Sequence, residues 1–114
     1  MLNALRKVVQ EVNAAASLEQ ALWLIVQRVR AEMSTQVCSI YLLDTVSQRY
    51  ILMATEGLNR DSVGKVSLGL DEGLVGLVAK REEPINLDDA ESHPQYRYFP
   101  ETGEERFRSF LGTP

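Results

Sequence analysis

The side chains with the most chemistry in this sequence are a lone cysteine, a lone histidine and a short aromatic run around an arginine. Cys38 lies in Val-Cys-Ser-Ile-Tyr-Leu-Leu, residues 37–43, a segment apolar on both alternating faces. Burial raises a thiol's pKa and blocks access to it, so Cys38 reads as an inert core residue rather than a nucleophile. His93 sits in Glu-Ser-His-Pro inside an acidic stretch, with no Ser or Cys placed beside it by a motif. It reads as a surface histidine rather than a catalytic or phospho-accepting one. One cysteine and one histidine cannot complete a tetrahedral zinc site, and a single cysteine forms no internal disulfide. Catalytic residues, a metal and a cofactor are therefore not expected. Tyr96, Tyr98 and Phe99, with Arg97 among them, supply aromatic planes and a cation. Such a group either lines a pocket for a small polar metabolite or anchors a long loop to the core.

The glycines invite two nucleotide-binding readings, and spacing defeats both. A P-loop has four residues between its glycines and a Ser or Thr after the lysine. Here six residues separate Gly57 from Gly64, and Val66 follows Lys65. Gly69, Gly73 and Gly76 miss the Gly-x-Gly-x-x-Gly pattern, and no parallel βαβ unit surrounds them. Gly73 and Gly76 instead fall in the first turns of an expected helix. There the missing side chain admits either a packed neighbour or a small anionic ligand on the free amides.

The elements that must position these residues follow from periodicity. Leu2, Leu5, Val8, Val9 and Val12 recur at helical spacing and predict a first amphipathic helix. Ser17-Leu-Glu-Gln20 has the form of a capping box that starts a second. Its inner stripe is expected to be Leu18, Ala21, Leu22, Ile25, Val26, Val29 and Met33. Trp23 and Leu24 fall off that stripe and call for a second helix or another subunit to cover them. From Val37 the composition changes to a β-branched and aromatic central strand. A turn over residues 44–48 leads into a hairpin partner, Tyr50 to Glu56, which Gly57 ends. A short strand over Val63 to Leu68 is expected next, then a helix with Asp71 as cap and Lys80 and Arg81 at its negative end. Pro84 stops that helix, Pro84 to Leu87 reads as a strand, and residues 88–106 read as a long loop with one short helical turn. Phe107 to Leu111 closes the chain as a last strand. Antiparallel runs flanked by helices are an α+β pattern.

At 114 residues the chain fits one domain with a core of its own. Residues 1–34 form two amino-terminal helices, and residues 36–114 the sheet, the third helix and the loop. No apolar run is long enough to span a membrane, and the start carries charged and polar groups where a secretory core would be oily, so a cytoplasmic location is expected. The net charge of −4 is the wrong sign for a phosphate backbone, so nucleic acid is a poor partner. All of it lies in residues 58–114, with seven basic against eleven acidic groups. Within 82–105 Arg97 is the single cation, which describes a solvated face or an acidic lip beside a binding site.

Several strings taken together resemble a known family. They are Ala-Thr-Glu-Gly-Leu-Asn at 54–59, Val-Ser-Leu-Gly-Leu-Asp-Glu-Gly-Leu-Val-Gly-Leu-Val-Ala at 66–79, and Glu-Pro-Ile-Asn-Leu-Asp-Asp-Ala at 83–90. His-Pro-Gln-Tyr-Arg-Tyr-Phe-Pro-Glu-Thr-Gly-Glu-Glu at 93–105 and Phe-Arg-Ser-Phe-Leu-Gly-Thr-Pro at 107–114 extend the match over essentially the whole chain. The chain resembles a GAF domain, in particular the amino-terminal domain of nitrogen-related phosphoenolpyruvate-protein phosphotransferases. The resemblance implies an antiparallel sheet with the amino-terminal helices on one side and a ligand-type pocket on the other. It implies a domain incomplete at its carboxyl end, since a full GAF domain continues with a further strand and a closing helix. It also implies a regulatory sensor of glutamine or 2-oxoglutarate without catalysis of its own. The parent enzyme would phosphorylate a phosphocarrier protein from a histidine outside this segment. The cyclic-nucleotide signature and a Cys-His pair for a bilin are missing here. GAF-fold methionine sulfoxide reductases use several cysteines, and one buried cysteine cannot resolve its own oxidised form.

Three expectations follow. The pocket is lined by Ser39, Tyr41 and Thr55 from the sheet, by the helix start near Gly73, and by Asn86, Tyr96 and Arg97 from the loop, with Arg97 pairing a carboxylate. The amino-terminal helices join two copies as a homodimer, the alternative to the sensor being a structural dimerisation module without a ligand. The last strand, Phe107 onward, adds to Val37–Leu43 as an edge or exchanges with a second chain.

Overall fold

The protein is described here by a computed structural model covering residues 2–13, 17–97, 100–102 and 109–114, with the side chains of residues 2–5, 8, 12 and 102 outside the description. Helix α1 runs Leu2–Asn13 and α2 Leu18–Met33. Strands β1, Cys38–Asp44, and β2, Arg49–Glu56, form a hairpin, and β3, Ser67–Gly69, follows. Helix α3, Gly73–Arg81, leads to β4, Ile85–Leu87, and β5, Phe110–Gly112. Short 3₁₀ turns occupy Arg60–Ser62, Ala90–Ser92 and Pro100–Thr102.

Ser17 caps α2 as its sequence requires, its hydroxyl accepting the Gln20 amide at 3.1 Å. Leu22 and Val26 are the buried residues of α2 and meet Ala54 of β2, with Cys38, Ile40 and Met53 packed around them. The expected inner stripe is broader than the one that forms, since Leu18 and Met33 at its two ends are exposed. Trp23 is half-buried. It packs against the same cluster, and the Arg60 guanidinium lies 5.3 Å from the ring centroid. Of the α1 stripe, Leu2, Leu5, Val8 and Val12 have side chains outside the described residues, and Val9 is half exposed. Helix α1 is tied to α2 by a two-pronged ion pair, Arg28 Nε to Glu11 Oε2 at 2.7 Å and an Arg28 terminal nitrogen to Glu11 Oε1 at 2.8 Å. That contact holds the Arg28 guanidinium above its ordinary pKa, through the hydrogen bond first and the charge of Glu11 second.

The β1–β2 turn is built by Asp44, whose carboxylate accepts the Val46 amide at 3.1 Å and the Ser47 hydroxyl at 2.9 Å. The sheet order is β1-β2-β3, so β2 is the central strand and β1, expected there from its two apolar faces, lies at the edge among the described residues. The hairpin puts β1 on one side of β2, and β3 takes the other. Residues 63–65, expected in β3, belong instead to the turn after Arg60–Ser62, where Asn59 Oδ1 accepts the Asp61 amide at 3.1 Å and Gly64 bonds back to Leu52 O at 2.8 Å. Glu72, not Asp71, is the N-cap residue of α3, because Gly73 takes φ +67° and turns the chain into the helix one residue later. The last strand pairs antiparallel with β4, Ile85 opposite Gly112 and Leu87 opposite Phe110, and not with Val37–Leu43. Strand β5 begins at Phe110; Phe107 and Arg108, expected in it, lie outside the described residues.

Candidate functional site

Two small groups of residues carry the polar chemistry of the sheet and of the α3 entrance. In the hairpin, Ile40 faces Ala54 but Tyr41 faces Leu52, which leaves Met53 as an extra residue in β2. This bulge lets Leu52 and Thr55, three apart, stand opposite Tyr41 and Ser39 on the face away from the Cys38–Ile40–Ala54 core. Thr55 is 1% exposed and shares a 2.8 Å hydrogen bond with the half-buried Ser39 hydroxyl, in which either oxygen can donate. Thus Ser39, Tyr41 and Thr55 share one face of the hairpin, and Thr55 is sealed by the chain itself.

At the start of α3, Gly73 is buried, and a Cβ placed there would lie 3.5 Å from the Arg97 Cβ and 3.1 Å from Leu68. Gly73 and Arg97 are therefore neighbours. Gly76 abuts the Leu70 carbonyl, a Cβ there reaching it at 3.0 Å, so its missing side chain serves the packing of α3 on the preceding turn. Arg97 lies 3.4 Å from Glu72 Oε2, while Glu72 Oε1 lies 3.7 Å from Arg49 and accepts the Gly69 amide at 3.3 Å. Arg49 is in turn held by Ser67, through Nε to Oγ at 2.7 Å and a terminal nitrogen to the carbonyl at 3.1 Å. The carboxylate facing Arg97 is thus supplied from within the chain. Glu72 and Arg49 were not expected at the site, and no motif joins positions so far apart in sequence.

Of the remaining expected residues, Tyr96 precedes Arg97 on the loop, whereas Asn86, expected from the loop, belongs to β4 because Ile85–Leu87 pairs with β5. Tyr96 is half-buried, its amide bonded to His93 O at 3.0 Å, and Asn86 is exposed on β4 opposite Leu111. Tyr98 and Phe99, the other members of the aromatic run, lie outside the described residues. His93 spends its Nδ1 on the Gln95 amide at 3.0 Å, which fixes a turn. Cys38 is half-buried on the helix-facing side of β1, where burial pushes its thiol pKa up. Two open clefts lie elsewhere. One of about 550 Å³ lies between the end of α2 and Glu56 and includes Arg28, Arg30 and Ser34 in its wall. The other, of about 410 Å³, runs along α3 past Asp71, Leu77, Lys80 and Gln95. None of the seven expected residues lines either cleft. Among the described residues no three His, Cys, Asp or Glu side chains gather as a metal site, and no helix is long and apolar enough to cross a membrane.

The model of the GAF domain family matches residues 17–114. The chain belongs to the GAF domain family. Over all 114 residues it is 48% identical to the phosphoenolpyruvate-dependent phosphotransferase system protein of Escherichia coli, covering 15% of that protein. The chain therefore spans about one-seventh of the length of the curated relatives it matches. Among solved structures it is similar to the GAF domain of a phosphoenolpyruvate-protein phosphotransferase from Coxiella burnetii, at 53% identity and a TM-score of 0.90 over 99% of this chain and 67% of that one. The corresponding Acinetobacter GAF domain has 53% identity and a TM-score of 0.88, with the same two coverages. This GAF domain is accordingly α+β, with α2 packed on the β1–β2 sheet and the Ser39–Thr55 pair on the opposite face.

Proposed function

We propose that this GAF domain is the regulatory sensor of a phosphoenolpyruvate-protein phosphotransferase, and that it binds a nitrogen-status metabolite, glutamine or 2-oxoglutarate, to modulate autophosphorylation of that enzyme. The observation that carries the reading is the near-50% identity over the full chain to phosphotransferase relatives. The site supports a ligand of this class. Arg97 stands beside the α3 entrance with its side chain more than half exposed, and a guanidinium takes a carboxylate in a two-pronged grip. Ser39, Tyr41 and Thr55 place hydroxyls on the sheet face, and Tyr96 and Asn86 add polar groups from the loop and β4. The domain itself performs no chemistry on this reading: His93 is engaged in a turn and Cys38 lies against the helix-side core. Phosphorylation of a phosphocarrier protein belongs to the parent enzyme, which we place in the cytoplasm.

Calorimetry against glutamine and 2-oxoglutarate, with cyclic nucleotides as controls, tests it. One of the two metabolites should bind, and Arg97→Ala should weaken it by tenfold or more. Unchanged binding in Arg97→Ala removes Arg97 from the site, and no binding of either metabolite to folded protein favours a second reading. That reading is a structural dimerisation module, which the exposed Val9, Leu18 and Met33 of the helical hairpin support.

A further inference from the structure

His93 is the single histidine of this sequence, and the chain around it forms a turn with an uncommon acceptor. Residues 93–96 are closed by the Tyr96 amide, which donates to His93 O at 3.0 Å, and Pro94 takes the second position, which its fixed φ suits. The first residue of such a turn is typically Asp or Asn, whose side-chain oxygen accepts the amide two residues on. Here an imidazole takes that place, and the Gln95 amide donates to His93 Nδ1 at 3.0 Å. The His93 amide donates in turn to Ala90 O at 3.1 Å, so the residue joins the Ala90–Ser92 turn to the one that follows. A backbone amide only donates, so Nδ1 must keep its lone pair and the neutral ring carries its proton on Nε2.

We infer that His93 is a proton-operated latch of this loop, closed while the imidazole is neutral and opened when it is charged. A solvent proton taken up at Nδ1 converts the acceptor into a donor. Two N–H groups then face each other, and the Gln95 amide turns to water. Imidazole is the side chain that ordinarily makes this change between about pH 5 and 8, and an Asp or Asn acceptor would not. Among the described residues, the charged groups around the turn are Asp88, Asp89 and Glu91 of the same loop and Arg97 after it. From α3 and its entrance they are Asp71, Lys80 and Arg81, which share a cleft with Gln95. Carboxylates, ammoniums and guanidiniums ordinarily keep their charge through that window, which leaves the change to the histidine. The opening reaches beyond the turn, because Arg97 follows Tyr96 directly and a Cβ on Gly73 would lie 3.5 Å from the Arg97 Cβ. Proton uptake at His93 thereby loosens the loop where it meets the start of α3.

The test follows single amides by NMR in the protein at its full natural length. Pro94-Gln95 and Gln95-Tyr96 are the single Pro-Gln and Gln-Tyr pairs of this sequence, so carbonyl-carbon and amide-nitrogen labelling of each pair picks out one amide, and Gln95→Glu confirms the assignment. The readout is protection, the slowing of hydrogen exchange relative to the unfolded chain at the same pH. From about pH 8 to about pH 5.5 protection of the Gln95 amide should fall about threefold to tenfold, and the Tyr96 amide should follow. His93→Asn keeps an acceptor that no proton removes in this range and should stay protected at both pH values, whereas His93→Ala should be unprotected at both. The Val46 amide, held at 3.1 Å by the Asp44 carboxylate in the β1–β2 turn, should not respond. Unchanged protection in the wild type overturns the inference, as does an equal response in His93→Asn or full protection in His93→Ala at about pH 8. A response at Gln95 with Tyr96 unmoved overturns it too, and so does an equal loss at Val46, which marks a general opening of the fold.

Discussion

The Ser39–Thr55 pair shows how little a single hydrogen bond says until both partners' surroundings are counted. Thr55 is sealed from water while Ser39 is half open. Ser39→Ala strands the Thr55 hydroxyl and should cost about 1–3 kcal/mol in urea unfolding, whereas Thr55→Val leaves a serine that water can reach and should cost under about 1 kcal/mol. The double variant should be more stable than the two single losses predict, because no polar group is then left buried alone. Cys38 carries a pH dependence of definite sign. Burial raises its folded pKa, so its contribution to stability is complete below the ordinary thiol pKa and is lost as pH rises through the folded value. Since the thiolate is the reactive form, alkylation by iodoacetamide in the native state should lag that of the urea-unfolded chain at every pH near 8, and the two should converge only in stronger alkali.

Among the elements, the hairpin and its exits are the most tightly determined. Strand β2 ends at Gly57, which has φ +108°, and a Cβ there would overlap the Gln36 carbonyl oxygen just before β1. Both constraints act together, so Gly57→Ala should destabilise the domain by about 2–4 kcal/mol in chemical unfolding while Gly64→Ala, with open space around it, costs less. The end of α2 is fastened to the same corner by Arg30, whose Nε donates to Gln36 O at 3.0 Å and whose terminal nitrogen lies 3.8 Å from Glu56. A shift of Gly57 is therefore felt by helix and sheet at once. The β4–β5 ribbon is the opposite case, a three-residue ladder with Leu111 and Asn86 on its exposed side.

For the whole molecule, association is the property most open to measurement. The α1–α2 hairpin carries Val9, Leu18 and Met33 outward, and the net charge of −4 on 114 residues is too small to keep such surfaces apart. We expect a dimer built on these helices as a four-helix arrangement across a two-fold axis. Light scattering should show the mass of two chains at high concentration, and Leu18→Glu with Met33→Glu should return it to one chain without loss of helix content. A monomer at every concentration in the unsubstituted protein would refute the arrangement. Trp23 packs on the core with Arg60 over its ring, and the expectation rests on Val9, Leu18 and Met33.

Local order in the chain was legible wherever one short segment carries its own instruction. Ser17 caps α2, Asp44 turns the hairpin, Lys80 and Arg81 end α3, and strand and helix types follow from hydrophobic period. The strings at 54–59, 66–79, 83–90, 93–105 and 107–114 together marked the family, which the family model matches over residues 17–114. What tertiary structure alone decided are the choices among partners. Which strand is central, which ladder β5 joins and what covers Trp23 depend on where distant segments meet, and period and propensity contain no term for that. The candidate site divides along the same line. Gly73 could be placed by the helix start, whereas the pairing of Ser39 with Thr55 depends on the Met53 bulge, and the Arg49–Glu72–Arg97 arrangement joins three segments through the twist of the sheet and the path of a loop. Charges that meet only after folding leave no spacing in the sequence, because the distance between them is set by packing and not by the chain.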